Sequence, residues 1–308
     1  DIILSRVRAL ITFQPAPMNT SNEIIVWNLR LPRALLAAAV GACLALAGGM
    51  MQGLLRNPMA DPYVLGVSAG ASVGGALTFI ITGTWGWRFG VALTPILAFF
   101  GAIAAVLMVY SLARVGGRVP IMNLLLAGIA LNTVLSAVLS LLIYFTNKEL
   151  QALIYWLMGS FTGRGWTQVA IIIPHLLLGL AFSVYLARDL NALSMGEDAA
   201  ATLGVDVEKT KHLLLLASTA LTAGAVSVSG IIGFVGLLVP HISRLLFGPD
   251  HRLLLPASAL LGGIFLVGAD LLARTLITTG ELPVGIITSL CGGPFFLYLL
   301  RRNEARRS

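Results

Sequence analysis

The sequence predicts an all-α membrane protein, a polytopic helical bundle of about nine transmembrane spans. Three observations carry that reading. Hydrophobic residues make up 57% of the 308 and charged residues only 11%, with a mean hydropathy of +0.92; soluble proteins are usually about 25% charged. Apolar windows long enough to cross about 30 Å of hydrocarbon as a helix recur along the whole chain. These windows are continuous, which excludes a barrel of short alternating strands.

The expected spans are Leu31–Leu55, Pro62–Thr82, Val91–Arg114, Pro120–Phe145, Thr167–Ala187, Lys211–Ser229, Ile231–Phe247, Leu254–Leu272 and Pro283–Leu300. The sixth and seventh are parted only by "SVSG". Joined, they would make a helix too long for a bilayer to accommodate well. No segment between spans is long enough to fold alone, so residues 1–308 read as one membrane domain. Small residues recur at four-residue spacing, as Gly49 and Gly53 and as Gly66, Gly70 and Gly74. Such rows let helices approach closely where lipid gives no hydrophobic drive to pack. Cys43 and Cys291 lie in apolar windows without metal-ligand spacing and read as small hydrophobes.

Of the 20 Lys and Arg, twelve fall on the side of the C-terminal "RRNEARRS" and eight on the other. This bias places the C-terminus in the cytoplasm, together with residues 189–211. The net charge of +7 is therefore a topology signal spread over short loops, not a nucleic-acid surface. An odd number of spans then puts Asp1 outside. Asp1–Arg30 is polar and has neither a start methionine nor a signal peptide, so a further span is expected ahead of it, ten in all.

One motif suggests an enzyme. "GVSAG" at Gly66–Gly70 matches the G-x-S-x-G elbow that exposes a serine, here Ser68. That elbow requires a strand, a turn and a histidine partner, and this match opens a membrane span. An intramembrane serine hydrolase is thus the second function class. The sequence has no HExxH, no CxxC and no phosphate-binding loop with its lysine, and the histidines His175, His212, His241 and His251 are not spaced as metal pairs. An ion-coupled carrier, the third class, would carry a carboxylate at mid-membrane, and the apolar windows offer none. Asp270 lies toward a membrane face, one helical turn before Arg274, where an ion pair explains it better than a proton relay.

Two spans carry small and polar stripes. Gly128, Asn132, Ser136 and Ser140 recur every four residues in the fourth, and Gly285, Ser289, Gly292 and Gly293 line the last. Such faces mark either a water-filled path or interhelical hydrogen bonding. Neither stripe is charged, which suits a large, partly apolar solute.

The segment "DLNALSMGEDAAATLGVDVEKTK" stands apart because its flanks are almost uncharged. Ala199, Ala200 and Ala201 favour helix. Glu197 and Asp198 suit the positive helix start, and Gly204 is a natural stop. A helix this short is marginal alone, so it is expected to dock on something.

Four separated blocks resemble one family: "LRLPRALLAAAVGACLALAGGMMQGLLRNPMADPYVLGVSAGA", "MGEDAAATLGV", "SGIIGFVGLLVPHISRLLFGPDHRLLLP" and "ADLLARTLITTGELPVGIITSLCGGPFFLYLLRR". They are similar to the permease subunits of type II ABC importers, which take up iron–siderophore complexes, haem and vitamin B12. The resemblance implies ten helices, a homodimer with a path at the shared interface, and no cofactor in this chain. The path would be lined by Gly128, Asn132, Ser136, Ser140, Gly285, Ser289 and Gly292. It implies two ATPase subunits that hold ATP and magnesium and bind Glu197, Asp198, Ala199, Ala200, Ala201, Leu203 and Gly204 as a coupling helix. It implies a cytoplasmic gate at Asn57, Ile121 and Met122. A solute-binding protein outside would dock on Arg30, Arg33 and Arg274. The expected location is the inner membrane, and the cargo an iron chelate, with cobalamin as the alternative.

Overall fold

Every named element among the described residues is a helix. The computed structural model describes residues 21–85, 87–146, 149–277 and 280–304. The polar start before residue 21, Lys148, Arg306 and Arg307 lie outside them. The order is α1 (Ser21–Leu54), a 3-10 turn (Pro62–Leu65), α2 (Val67–Trp85), α3 (Trp87–Ala113), α4 (Ile121–Phe145) and the short α5 (Leu150–Leu157). Then follow α6 (Trp166–Ser194), the short α7 (Glu197–Thr202), α8 (Val207–Ser229), α9 (Val235–Phe247), α10 (His251–Thr275) and α11 (Val284–Glu304). Among the described residues six helices are long and apolar enough to cross a membrane, and shorter apolar stretches of α2, α9 and α11 bring the total there to the nine expected.

α1 is the axis of the bundle. Its most apolar window is 83% buried, whereas that of α4 is only 6% buried. Small residues make that burial possible. Gly41 faces Gly262 of α10, and a Cβ on either would overlap the other's carbonyl. A Cβ on Gly48 would likewise overlap the carbonyl of Gly236 of α9. Gly70 and Gly74 bring α2 against Gly101 and Leu97 of α3, as the four-residue spacing predicts, and Gly49 and Gly53 take side chains from α10 and α6. Gly66 does something else. Its φ of +87° closes the 3-10 turn, a backbone state in which glycine meets no steric penalty.

Two expected spans are shorter than their apolar windows. Asp61 caps the turn by accepting from the Tyr63 amide at 2.8 Å, and Pro62 fixes its first position. The helix therefore begins at Val67 rather than Pro62. Similarly α9 starts at Val235, after the non-helical residues 230–234 and a Phe234 held at φ +69°. The two non-helical segments meet beside α1: the Tyr63 hydroxyl donates to the Ile232 carbonyl at 3.0 Å. Gln52 Nε2 donates to Leu237 O at 3.1 Å, and Asn132 Nδ2 donates to Tyr63 O and Val64 O at 3.3 and 3.2 Å. Side chains thus satisfy carbonyls that the helix breaks leave free.

The polar insert is also shorter than 189–211. α6 continues through Asp189 to Ser194 and α8 already starts at Val207, so only the residues around α7 leave the bundle. The insert defines one end of the molecule, shared with the end of α1, the start of α4 and the start of α10. The opposite, far end holds α5 and the start of α6, where Trp27 and Trp166 stack with centroids 5.3 Å apart.

Gly262→Ala should destabilise the protein in detergent by about 1–3 kcal/mol through overpacking. Gly268→Ala, on the same helix with open space around it, should be neutral or stabilising through helix propensity. Equal thermal midpoints for the two variants would contradict the close α1–α10 contact.

Candidate transport path and coupling surface

Helix breaks and small residues leave one large face without partners. Among the described residues α4 packs chiefly on α2, α3 and the 3-10 turn. Met122, Leu126, Ile129, Val134 and Leu141 are all more than half exposed. The polar stripe of α4 divides. Gly128 is buried where a Cβ would strike the Val64 carbonyl, and Asn132 is the donor to the turn described above. Ser136 and Ser140 are exposed, and Ser140 Oγ donates only to Ser136 O, at 2.9 Å. α11 divides likewise. Gly285 sits on the Met158 carbonyl and Gly292 under the Phe234 ring. Ser289, between them, is exposed. The stripes are therefore split: part serves interhelical contacts, part faces outward.

At the insert end, α7 is the six-residue helix Glu197–Thr202. Ala200 is fully buried against the bundle, while Leu203 is 64% exposed and Met195 73%. Gly204 stops the helix at φ +84°. Asp198, Ala199 and Ala201 ride on the same turn and a half. Ile121 and Met122 open α4 right after Pro120, which supplies its N-cap. Asn57 builds the turn after α1, accepting from the Met59 amide at 2.9 Å. Asn57 and Met122 are exposed and Ile121 half-buried.

The far end holds a charge cluster. The Arg33 guanidinium reaches Asp270 at 2.8 Å and Glu281 at 2.8 Å, and Arg274 pairs with Asp270 at 3.2 Å. The Asp270–Arg274 pair expected from the i,i+4 spacing is present, but Arg33 is the stronger partner of Asp270. Arg33 is thus an internal clamp rather than a free surface charge, with its side chain 11% exposed. Of the three basic residues assigned to docking, Arg30 is the exposed one. Burial pushes the Glu281 carboxyl up. Hydrogen bonds from Thr162 and Arg33, with the charges of Arg33 and Arg274, outweigh it and hold the group below its ordinary range. Its share of stability is therefore present above the ordinary carboxylate range and is lost as pH falls through its depressed value.

Ser68 has no catalytic surroundings. It sits in the first turn of α2, where its carbonyl accepts from Ser72, and a 3-10 turn rather than a strand precedes it. The described contacts of the four histidines go elsewhere: His175 to Phe99, His212 to Tyr110, His241 to Phe295 and His251 to Asn191. Among the described residues no cluster of His, Cys, Asp and Glu could hold a metal.

Three features escaped the sequence reading. Asp61 is a carboxylate in the non-helical segment, and the Asp-Pro pair was the signal for its capping role. Glu281 completes the far-end cluster from a loop, with no local signal. Lys211, read as the end of the polar insert and the first residue of a span, is 4% exposed.

A many-span bundle with charge gathered at its two ends, one unpartnered helix face and a small helix carried outside is the build of a membrane transport subunit. The model of the FecCD transport family matches residues 3–302, and the chain belongs to that family. It is accordingly the multi-pass permease of an ABC importer, with ATP hydrolysis in separate partner subunits. The cobalamin import system permease of Halobacterium salinarum is 49% identical over 284 residues, 92% of this chain and 75% of its own length. The hemin transport system permease of Yersinia pestis is 42% identical, covering 94% of this chain and 88% of its own. The Fe(3+) dicitrate transport system permease of Escherichia coli is 40% identical, at 96% and 90%. A solved structure described as an inward-facing conformation of a metal-chelate type ABC transporter superposes with a TM-score of 0.83 at 32% identity, covering 97% of each chain.

Asp270→Asn leaves Arg33 with the more exposed Glu281 as its remaining carboxylate and takes the partner from Arg274, an expected loss of about 1–3 kcal/mol, below that of a fully uncompensated buried charge. The double variant Arg33→Met, Asp270→Leu should recover most of it. Denaturation of the single variant at the wild-type midpoint would contradict the clamp.

Proposed function

We propose that this chain is one of two identical permease copies in an ATP-driven importer of a metal chelate across the inner membrane. The observation that carries the reading is the α4 face: 6% burial in its apolar window leaves a whole span open to lipid or to a partner. A second copy would cover it and enclose a path edged by Ser136, Ser140 and Ser289, with Gly128, Asn132, Gly285 and Gly292 setting the close approach behind them. The path lacks charge, which suits a bulky complex rather than a bare ion.

The insert end faces the cytoplasm in this reading, following the Lys and Arg bias, and takes the C-terminus with it. Two ATPase subunits, holding ATP and magnesium, dock on α7 through its exposed residues. Glu197 to Gly204 act as the coupling element. Ile121, Met122 and Asn57 form the cytoplasmic gate, where an apolar constriction closes by excluding water. ATP binding draws the ATPases together, tilts the spans through α7, and opens the two mouths in turn. A solute-binding protein docks outside, oriented by Arg30 and the edge of Arg274, while Arg33 holds that surface in shape.

The named substrates of the relatives are cobalamin, hemin and ferric dicitrate. All are metal complexes, which supports the chelate class, with haem or an iron–siderophore as the leading cargo. A cobalamin cargo is the second reading, favoured by the 49% identity of the archaeal relative. Titrating the partner binding protein with haem, a ferric siderophore and cobalamin decides between them.

Removing Glu197–Gly204 should abolish co-purification of the ATPase subunits and leave membrane insertion intact. ATPases that still co-purify and drive uptake would refute the coupling assignment.

A further inference from the structure

Lys211 lies in the first turns of α8, 4% exposed beneath the insert. Its ammonium has three protons to donate, and three partners take them. Glu197 Oε2 of α7 accepts at 2.7 Å, Glu208 Oε1 at 3.0 Å and the Val119 carbonyl at 3.3 Å. Val119 is held twice, because its amide also donates to Glu208 Oε2 at 3.1 Å. Both backbone polar groups of one residue are therefore clamped by side chains from α8.

Val119 is no ordinary loop residue. It is 2% exposed and stands two residues before Ile121, separated from α4 only by Pro120. The preceding loop is short and closed on itself, with Val115 and Arg118 paired through both amides at 2.9 and 3.1 Å. It has little slack to absorb a displacement. If Glu197 moves with α7 and the Lys211 ammonium follows it, the Val119 carbonyl loses its donor unless the Val119 segment moves too.

We propose that Lys211 is the positioning residue that carries movement of α7 to the mouth of α4, so that docking at the insert shifts Ile121 and Met122. This rests on the coupling and gate assignments of the proposed function and specifies the link between them. A merely structural lysine would affect stability and leave that link intact.

The test uses the assembled transporter with its ATPase subunits in nanodiscs. Met122→Cys is introduced in a Cys291→Ser background; the remaining Cys43 is buried. The rate of labelling by a charged maleimide is compared with and without ATP plus vanadate. With Lys211 present, nucleotide should change the rate about fivefold or more, the low end for coupled sites. Lys211→Met should abolish that change while the ATPase subunits still co-purify, and Lys211→Arg should restore it. A Lys211→Met transporter with the full nucleotide response overturns the proposal, as does one that no longer binds its ATPases. Should the Lys211→Met permease itself fail to fold and insert in the membrane, Glu208→Ala, which frees the Val119 amide, is measured instead. Loss of the response supports the link and an unchanged response overturns it. No response even with Lys211 present would refute the underlying gate assignment, and the link would fall with it.

Discussion

Inside a bilayer no water is available to satisfy a free backbone carbonyl, and this fold breaks two of its spans all the same. The breaks at residues 62–66 and 230–234 are tolerated because they are stacked against α1 and served by side chains. Asn132 bonds the carbonyls of the first, Tyr63 reaches from the first to the second, and Gln52 bonds a carbonyl in the opening turn of α9. That requirement explains why α1 is so deeply buried and so rich in Ala and Gly. A bulkier α1 would hold the broken segments out of hydrogen-bond reach. It also explains why half of the α4 stripe turns inward: Asn132 is needed at the turn, and Gly128 lets the turn come close.

Charge is distributed by the same economy. Between the two ends, the packing of α1 on α8, α9 and α10 is made of small and aliphatic side chains. At the far end, Arg33 ties the start of α1 to the end of α10 and to the loop before α11. At the insert end, Lys211 ties α7 to α8 and to the entrance of α4. Each cluster joins elements far apart in sequence, and in the proposed function each sits where a partner protein would apply force.

Much of this was legible in the sequence. Continuous apolar windows gave nine spans with the correct number and order, and Gly70 and Gly74 announced the α2–α3 contact through their spacing. The alanine run and Gly204 marked α7 to within two residues. What was not legible involves contacts without a local signature. Hydropathy carries a span straight through Pro62 and Ile231, because residues in the breaks are as apolar as those in the helices. Arg33 looked free because Asp270 and Glu281 lie more than two hundred positions away. Lys211 looked like a charge at the edge of the insert because its i,i+3 neighbour Glu208 is ordinary, while Val119 contributes only backbone.

The central claim is that the insert is the cytoplasmic handle by which a separate motor works the bundle. Leu203 is its most direct probe, being well exposed beside the Gly204 stop. Labelling of Leu203→Cys, in a Cys291→Ser background, by an impermeant thiol reagent should occur in inverted membrane vesicles stripped of ATPase, be blocked when the ATPase subunits are added back, and be absent in intact cells. Labelling from outside intact cells, or labelling indifferent to the ATPase, would contradict it.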